Sequence, residues 1–189
     1  MPANEITDLD PAEVFLHRKV ANLVVHSDLN ALRTIQHAVE HLFVKPIVVV
    51  GHHGCAGVRV ALRGLRIGPA AHWLDHLPPE QQEDMLCEMN VIEQPGNVTL
   101  STVTQDAWAR GQPVAVHGWT HGLKDGLPKD LGLTMQAHTE LADAFARALK
   151  RYPRDDSAGL VRATHQHHEF LAAEAEQVFM TAQATAHQA

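Results

Sequence analysis

The sequence predicts one α/β domain built on a parallel sheet flanked by helices. Three observations carry this. The apolar run Ile47–Val50 lies between helical patterns, as does a strand covered on both faces. A second strand pattern, 113-PVAVHGW-119, follows further helical stretches. The resulting order of strand, helix, strand, helix, helix, strand is that of α/β proteins.

The elements follow in order. Residues 13–18, EVFLHR, come after Pro11 and read as a short strand. Residues 27–43 read as a helix, with Ser27 or Asp28 as N-cap and Leu29, Leu32, Ile35, Gln36, Val39 and Leu42 at spacings of three and four. After strand 47–50, residues 58–65 and 70–77 predict two short helices. Pro78 and Pro79 start a longer one, with Met85, Leu86, Met89, Val91 and Ile92 largely on one face. Pro95 and Gly96 are expected to break or kink it. The pattern resumes from Val98 to Ala109 and stops at Gly111. After strand 113–119, residues 121–132 read as a turn with a short strand or irregular exit. Residues 134–150 and 157–186 are two further helical patterns. The expected division is a domain over 1–150 and a helical extension over 151–189.

At 189 residues the chain is long enough for a real core, and 45% hydrophobic with 20% charged residues fits a soluble globular protein. A formal charge of −7 argues against a general nucleic-acid or anionic-membrane binder. Two cysteines, Cys55 and Cys87, make no disulfide framework and predict a cytoplasmic protein. No segment has the apolar length of a membrane span, and the polar, acidic start is not that of a signal peptide. Among the 15 histidines, His165, His167 and His168 read as a solvated helix face.

The chemistry gathers in 47-IVVVGHHGCAGV-58. Ligands in open α/β sheets collect beyond the carboxyl ends of strands. His52 and Cys55 stand there, three residues apart. An imidazole and a thiolate are good zinc ligands, and that spacing lets both converge on one ion. Gly54, Ala56 and Gly57 let backbone approach closely. Two other readings of the same residues stand beside this one: a small buried cysteine next to a hydrogen-bonded histidine, and a glycine-rich anion cradle.

Three longer segments, 15–58, 86–94 and 105–131, together resemble the β-class carbonic anhydrases. The residues that carry the resemblance are HR-x-x-A-N from His17, GH-x-x-C-x-G from Gly51, HGW at 117–119 and the turn Asp125–Gly126, in that order. The resemblance implies a sheet lacking the family's first strand. It also implies a zinc lyase that hydrates carbon dioxide to bicarbonate by zinc-bound hydroxide, whose water has its pKa lowered to about 7. Carried over, His52 and Cys55 match the family's zinc histidine and second zinc cysteine. The implied cofactor is Zn2+, and the implied assembly is a homodimer or higher oligomer.

The family's first zinc cysteine and an Asp–Arg pair lie in a C-x-D-x-R motif that ends just before a stretch resembling residues 1–11. No such motif occurs here, so the ligand set is expected to be incomplete and no residue receives the Asp–Arg role. Cys87 is expected to be a buried helix cysteine with no metal role, His53 to point away, and Asp8 and Asp10 to approach only if the N-terminus folds back. Arg18 is an anion-site or salt-bridge candidate. Trp73, Trp108 and Trp119 read as core, His17 and His117 as hydrogen-bonded residues, and His121 as a candidate proton shuttle. Three expectations follow: a gene start upstream of Met1; a truncated, inactive paralogue that binds a relative or an anion; or a zinc site rebuilt with other ligands. Lys19, Ala56 and Pro95 depart from the family pattern.

Overall fold

The computed structural model of the chain describes residues 3–10, 12–59, 79–137 and 140–150. The expected helices at 58–65 and 70–77, Trp73, and the extension 151–189 fall wholly or largely outside them.

Three strands form one mixed sheet in the order β1-β2-β3. Strand β1 is Pro46–His52, β2 is Ala115–His121 and β3 is Pro128–Met135. Strands β1 and β2 run parallel, with Val49 opposite Gly118 and His52 opposite His121. Strand β3 returns antiparallel to β2, with a register shift at Gly118/Trp119. The expected parallel pairing is that of β1 with β2, and β3 makes the sheet mixed. The turn after His121 is too short for a crossover helix, so the chain can only double back.

Residues 13–18 form no strand. The composition suits a strand, but a strand needs a neighbour. Among the described residues β1 pairs with β2 alone, and its other edge has no partner strand. Phe15 and Leu16 are left about half exposed.

Helix α1 is Ala3–Thr7. Helix α2 is Leu29–Gln36, followed by a π-helical turn at His37–His41. Asp28 caps it as expected, accepting from the Asn30 and Ala31 N–H groups at 3.0 and 3.3 Å. The buried face is Ala31, Ala38 and Val39 rather than the full predicted stripe; Leu29 and Leu42 are exposed. The π-turn adds a residue to the helical period, which shifts the face beyond it. Burial alone would raise the Asp28 pKa. A hydrogen bond from Lys19, its charge, and the two cap N–H groups outweigh that and hold the carboxyl below its ordinary value. A depressed carboxylate contributes stability above its unfolded pKa of about 3.9 and loses it as pH falls through the folded value. Asp28→Ala is expected to cost about 1 kcal/mol at neutral pH. The gap from wild type should close below about pH 4 in urea melts.

Helix α3, Pro79–Leu100, runs on through Pro95, so the predicted break is displaced. It falls at Ser101, which caps α4, Thr102–Ala109. The Pro95 ring has room because β2 carries Gly118 beneath it: a Cβ there would lie 3.2 Å from Pro95 Cγ. Every residue from 85 to 99 is buried, so α3 is a central helix enclosed on all sides, not a one-faced one. It covers one face of the sheet and shares a core with Val49, Val116, Leu131, Leu133 and Met135. Helix α5, Leu141–Leu149, joins that core through Ala144 and Ala148. A smaller core gathers Val39, Val103, Ala107 and Val114, with Trp108 donating to the Val114 carbonyl at 2.8 Å.

Candidate metal centre

The parallel pairing brings the carboxyl ends of β1 and β2 side by side. His52 ends β1 and is exposed; its Nδ1–H donates to the His53 carbonyl at 2.9 Å. The His53 N–H donates to the His121 carbonyl at 3.1 Å, which extends the ladder by one bond. Gly54 then turns the chain at φ 67°. Cys55 follows, 6% exposed, and its carbonyl accepts from the Arg59 N–H at 2.9 Å as a helical turn begins. His52 and Cys55 thus flank one tight turn.

The bend at residues 20–22 packs against this turn. Ala21 and Asn22 have φ of 53° and 48°. A Cβ on Gly51 would meet Val91 Cγ2 at 2.2 Å and Asn22 Oδ1 at 3.1 Å, and one on Gly57 would meet the Ala21 Cβ at 3.3 Å. The glycines are there because helix and bend come too close for a side chain.

Helix α3 holds the bend with a buried polar ladder that sequence reasoning missed. Asn90 Nδ2 donates to the Ala21 carbonyl at 2.7 Å, Gln94 Nε2 donates to Asn90 Oδ1 at 2.9 Å, and Val24 N–H donates to Gln94 Oε1 at 2.8 Å. The signal was present: Asn90, Gln94 and Asn97 recur at helical spacing in a helix long enough to be central. Two residues before Asn90 the carboxylate of Glu88, also missed, accepts from Lys129 Nζ at 2.7 Å and from His53 Nε2–H at 3.2 Å.

His53 turns its ring onto α3, as expected. Cys87 is 2% exposed, and burial pushes its thiol up to about 12 against a partial offset from the Cys55 backbone N–H. It is a neutral thiol at physiological pH and a poor metal ligand as placed. His121 is 2% exposed, which does not suit a group that hands protons to solvent. His117 Nδ1 shares a hydrogen bond with Thr134 Oγ1 at 2.9 Å. Asp8 and Asp10 are exposed, and Asp10 closes a local turn with Glu13.

As a zinc site the turn fits in the kind of donor and falls short in number. His52 and Cys55 offer nitrogen and sulfur. Among the described residues no group of three or more His, Cys, Asp or Glu side chains converges.

Comparison with known proteins bears on the family and the fold. The family model described as carbonic anhydrase matches residues 1–127. A carbonic anhydrase of Emericella nidulans is 40% identical over 148 residues, covering 70% of this chain and 65% of the relative. One from Candida albicans is 41% identical over 99 residues, 43% of this chain and 35% of the relative. The chain thus spans less than two thirds of either relative. Among solved structures, the Coccomyxa β-carbonic anhydrase in complex with acetazolamide superposes with TM-score 0.69 at 31% identity, over 76% of this chain and 72% of that one. A tetrameric β-carbonic anhydrase of Sordaria macrospora gives 0.63 at 30%, over 71% and 76%. The chain belongs to the β-class of the carbonic anhydrase family.

Proposed function

We propose that the turn after β1 is one half of a zinc site for reversible hydration of carbon dioxide, with His52 and Cys55 as its two protein ligands. The observation that supports this most is their position: one imidazole and one thiol flank a glycine turn at the adjoining carboxyl ends of two parallel strands, in a chain of this family. Zinc in such a site lowers the pKa of a bound water so that hydroxide forms near neutral pH. The chain's own part is to hold two donors on a turn that packs against α3 and the 20–22 bend.

The test is chelator-competition titration with zinc. Wild type is expected to bind one equivalent, and Cys55→Ala to bind at least about 100-fold more weakly, since even outer-shell groups are worth about 10–100-fold. Equal affinity in the two proteins refutes the assignment.

A second reading, an inactive partner for related subunits, is favoured by the short donor set and by exposed apolar side chains. Val20 is 76% exposed, Phe43 70% and Leu29 66%. We read these as contacts in a homodimer or higher oligomer. Both cysteines are free thiols, which fits a reducing compartment such as the cytoplasm. Among the described residues no helix is long and apolar enough to cross a membrane, and the net charge of −7 gives no support to nucleic-acid binding.

A further inference from the structure

We propose that Glu88 is a positioning residue which, through His53, holds His52 in the tautomer that leaves Nε2 open for a metal. The role of His52 as ligand is taken from the proposed function; the tautomer itself is a property of the metal-free chain.

The Glu88 side chain is 10% exposed, in the fully buried stretch 85–99. A carboxylate is costly there unless it is paired. Its partners come from two other elements. Lys129, at the start of β3, reaches in from the surface with its side chain 56% exposed. His53 comes from the turn after β1 and brings its ring nitrogen to 3.2 Å.

His53 is thereby fixed at two points. Its backbone N–H is tied to β2 through the His121 carbonyl, and its ring is tied to α3 through Glu88. The peptide that carries the His53 carbonyl lies between these anchors and Gly54, whose left-handed φ of 67° would otherwise let it swing.

That carbonyl receives the His52 Nδ1–H at 2.9 Å. A carbonyl oxygen can only accept, so in neutral His52 the proton is on Nδ1 and the lone pair on Nε2. Orienting a ligand histidine through the hydrogen bond of its other nitrogen is how outer-shell groups tune metal sites. Here the outer group is a backbone carbonyl, and Glu88 acts on it at one remove.

The experiment is a two-bond 15N–1H correlation spectrum of the metal-free 189-residue chain at about pH 8, where an ordinary histidine is neutral. Wild type, Glu88→Ala and His53→Ala are compared, with far-UV circular dichroism to confirm folding. Wild type should show His52 mainly as the Nδ1–H form. Both variants should shift it toward the Nε2–H form. Zinc affinity should fall about 10-fold or more in each variant, and the double variant should be no weaker than the worse single. An unchanged His52 tautomer in folded His53→Ala overturns the proposal, whether or not Glu88→Ala folds. If wild type shows the tautomer but binds no zinc, the metal reading fails and the positioning role stands.

Discussion

Zinc-replete protein of residues 1–189 is expected to hydrate carbon dioxide at least about 100-fold more slowly than a site of the same class with its full set of protein donors, because outer-shell losses alone reach that size. The sequence holds two cysteines. Cys55 is the proposed ligand. Cys87 is buried in α3, with its thiol pushed up to about 12. Supplying it as a second thiolate would require ionising it in an apolar interior and turning it away from the Cys55 N–H. Two donors also leave the ion free to rotate its remaining positions, so a hydroxide on it has no fixed line of attack. Stopped-flow hydration with excess zinc measures this directly. A rate within about tenfold of a complete relative contradicts it.

Gly51→Ala is expected to destabilise the chain by about 2–3 kcal/mol, the upper part of the range for overpacking. The new methyl would stand 2.2 Å from Val91 Cγ2 and 3.1 Å from Asn22 Oδ1. Valine at 91 is fully buried on a central helix and, being β-branched, has few rotamers to retreat to. The clash also pushes on the bend that Asn90 holds. Val91→Ala alone leaves a cavity, yet in the double variant the methyl added at position 51 occupies part of the space the valine gave up. Urea melts of the four proteins should therefore show the double variant more stable than the sum of the singles. Simple additivity would mean that helix and strand do not meet as described.

How far the sequence disclosed this arrangement depended on range. The H-x-x-C turn was legible because its parts are local: an apolar strand, a glycine and two ligand-type side chains, all between Ile47 and Cys55. The helix cap at Asp28 was legible for the same reason. The strand expected at 13–18 failed because pairing is not a local property, and among the described residues no strand lies against it. Pro95 misled because the glycine that makes room for it, Gly118, is 23 positions away on β2. Nothing local in the sequence marks Glu88. Its partners, at 53 and 129, are brought to it only by the fold. The antiparallel return of β3 was half visible in the turn residues before it, but its pairing with β2 was not.

The central claim is that one thiolate and one imidazole of this chain hold the metal. X-ray absorption at the zinc edge, on protein loaded with one equivalent, tests it most directly. The account predicts a single sulfur at about 2.3 Å with lighter neighbours near about 2.0–2.1 Å. That sulfur should vanish in Cys55→Ala and persist in Cys87→Ala. Two sulfurs in the wild type, or one that survives the loss of Cys55, would contradict it.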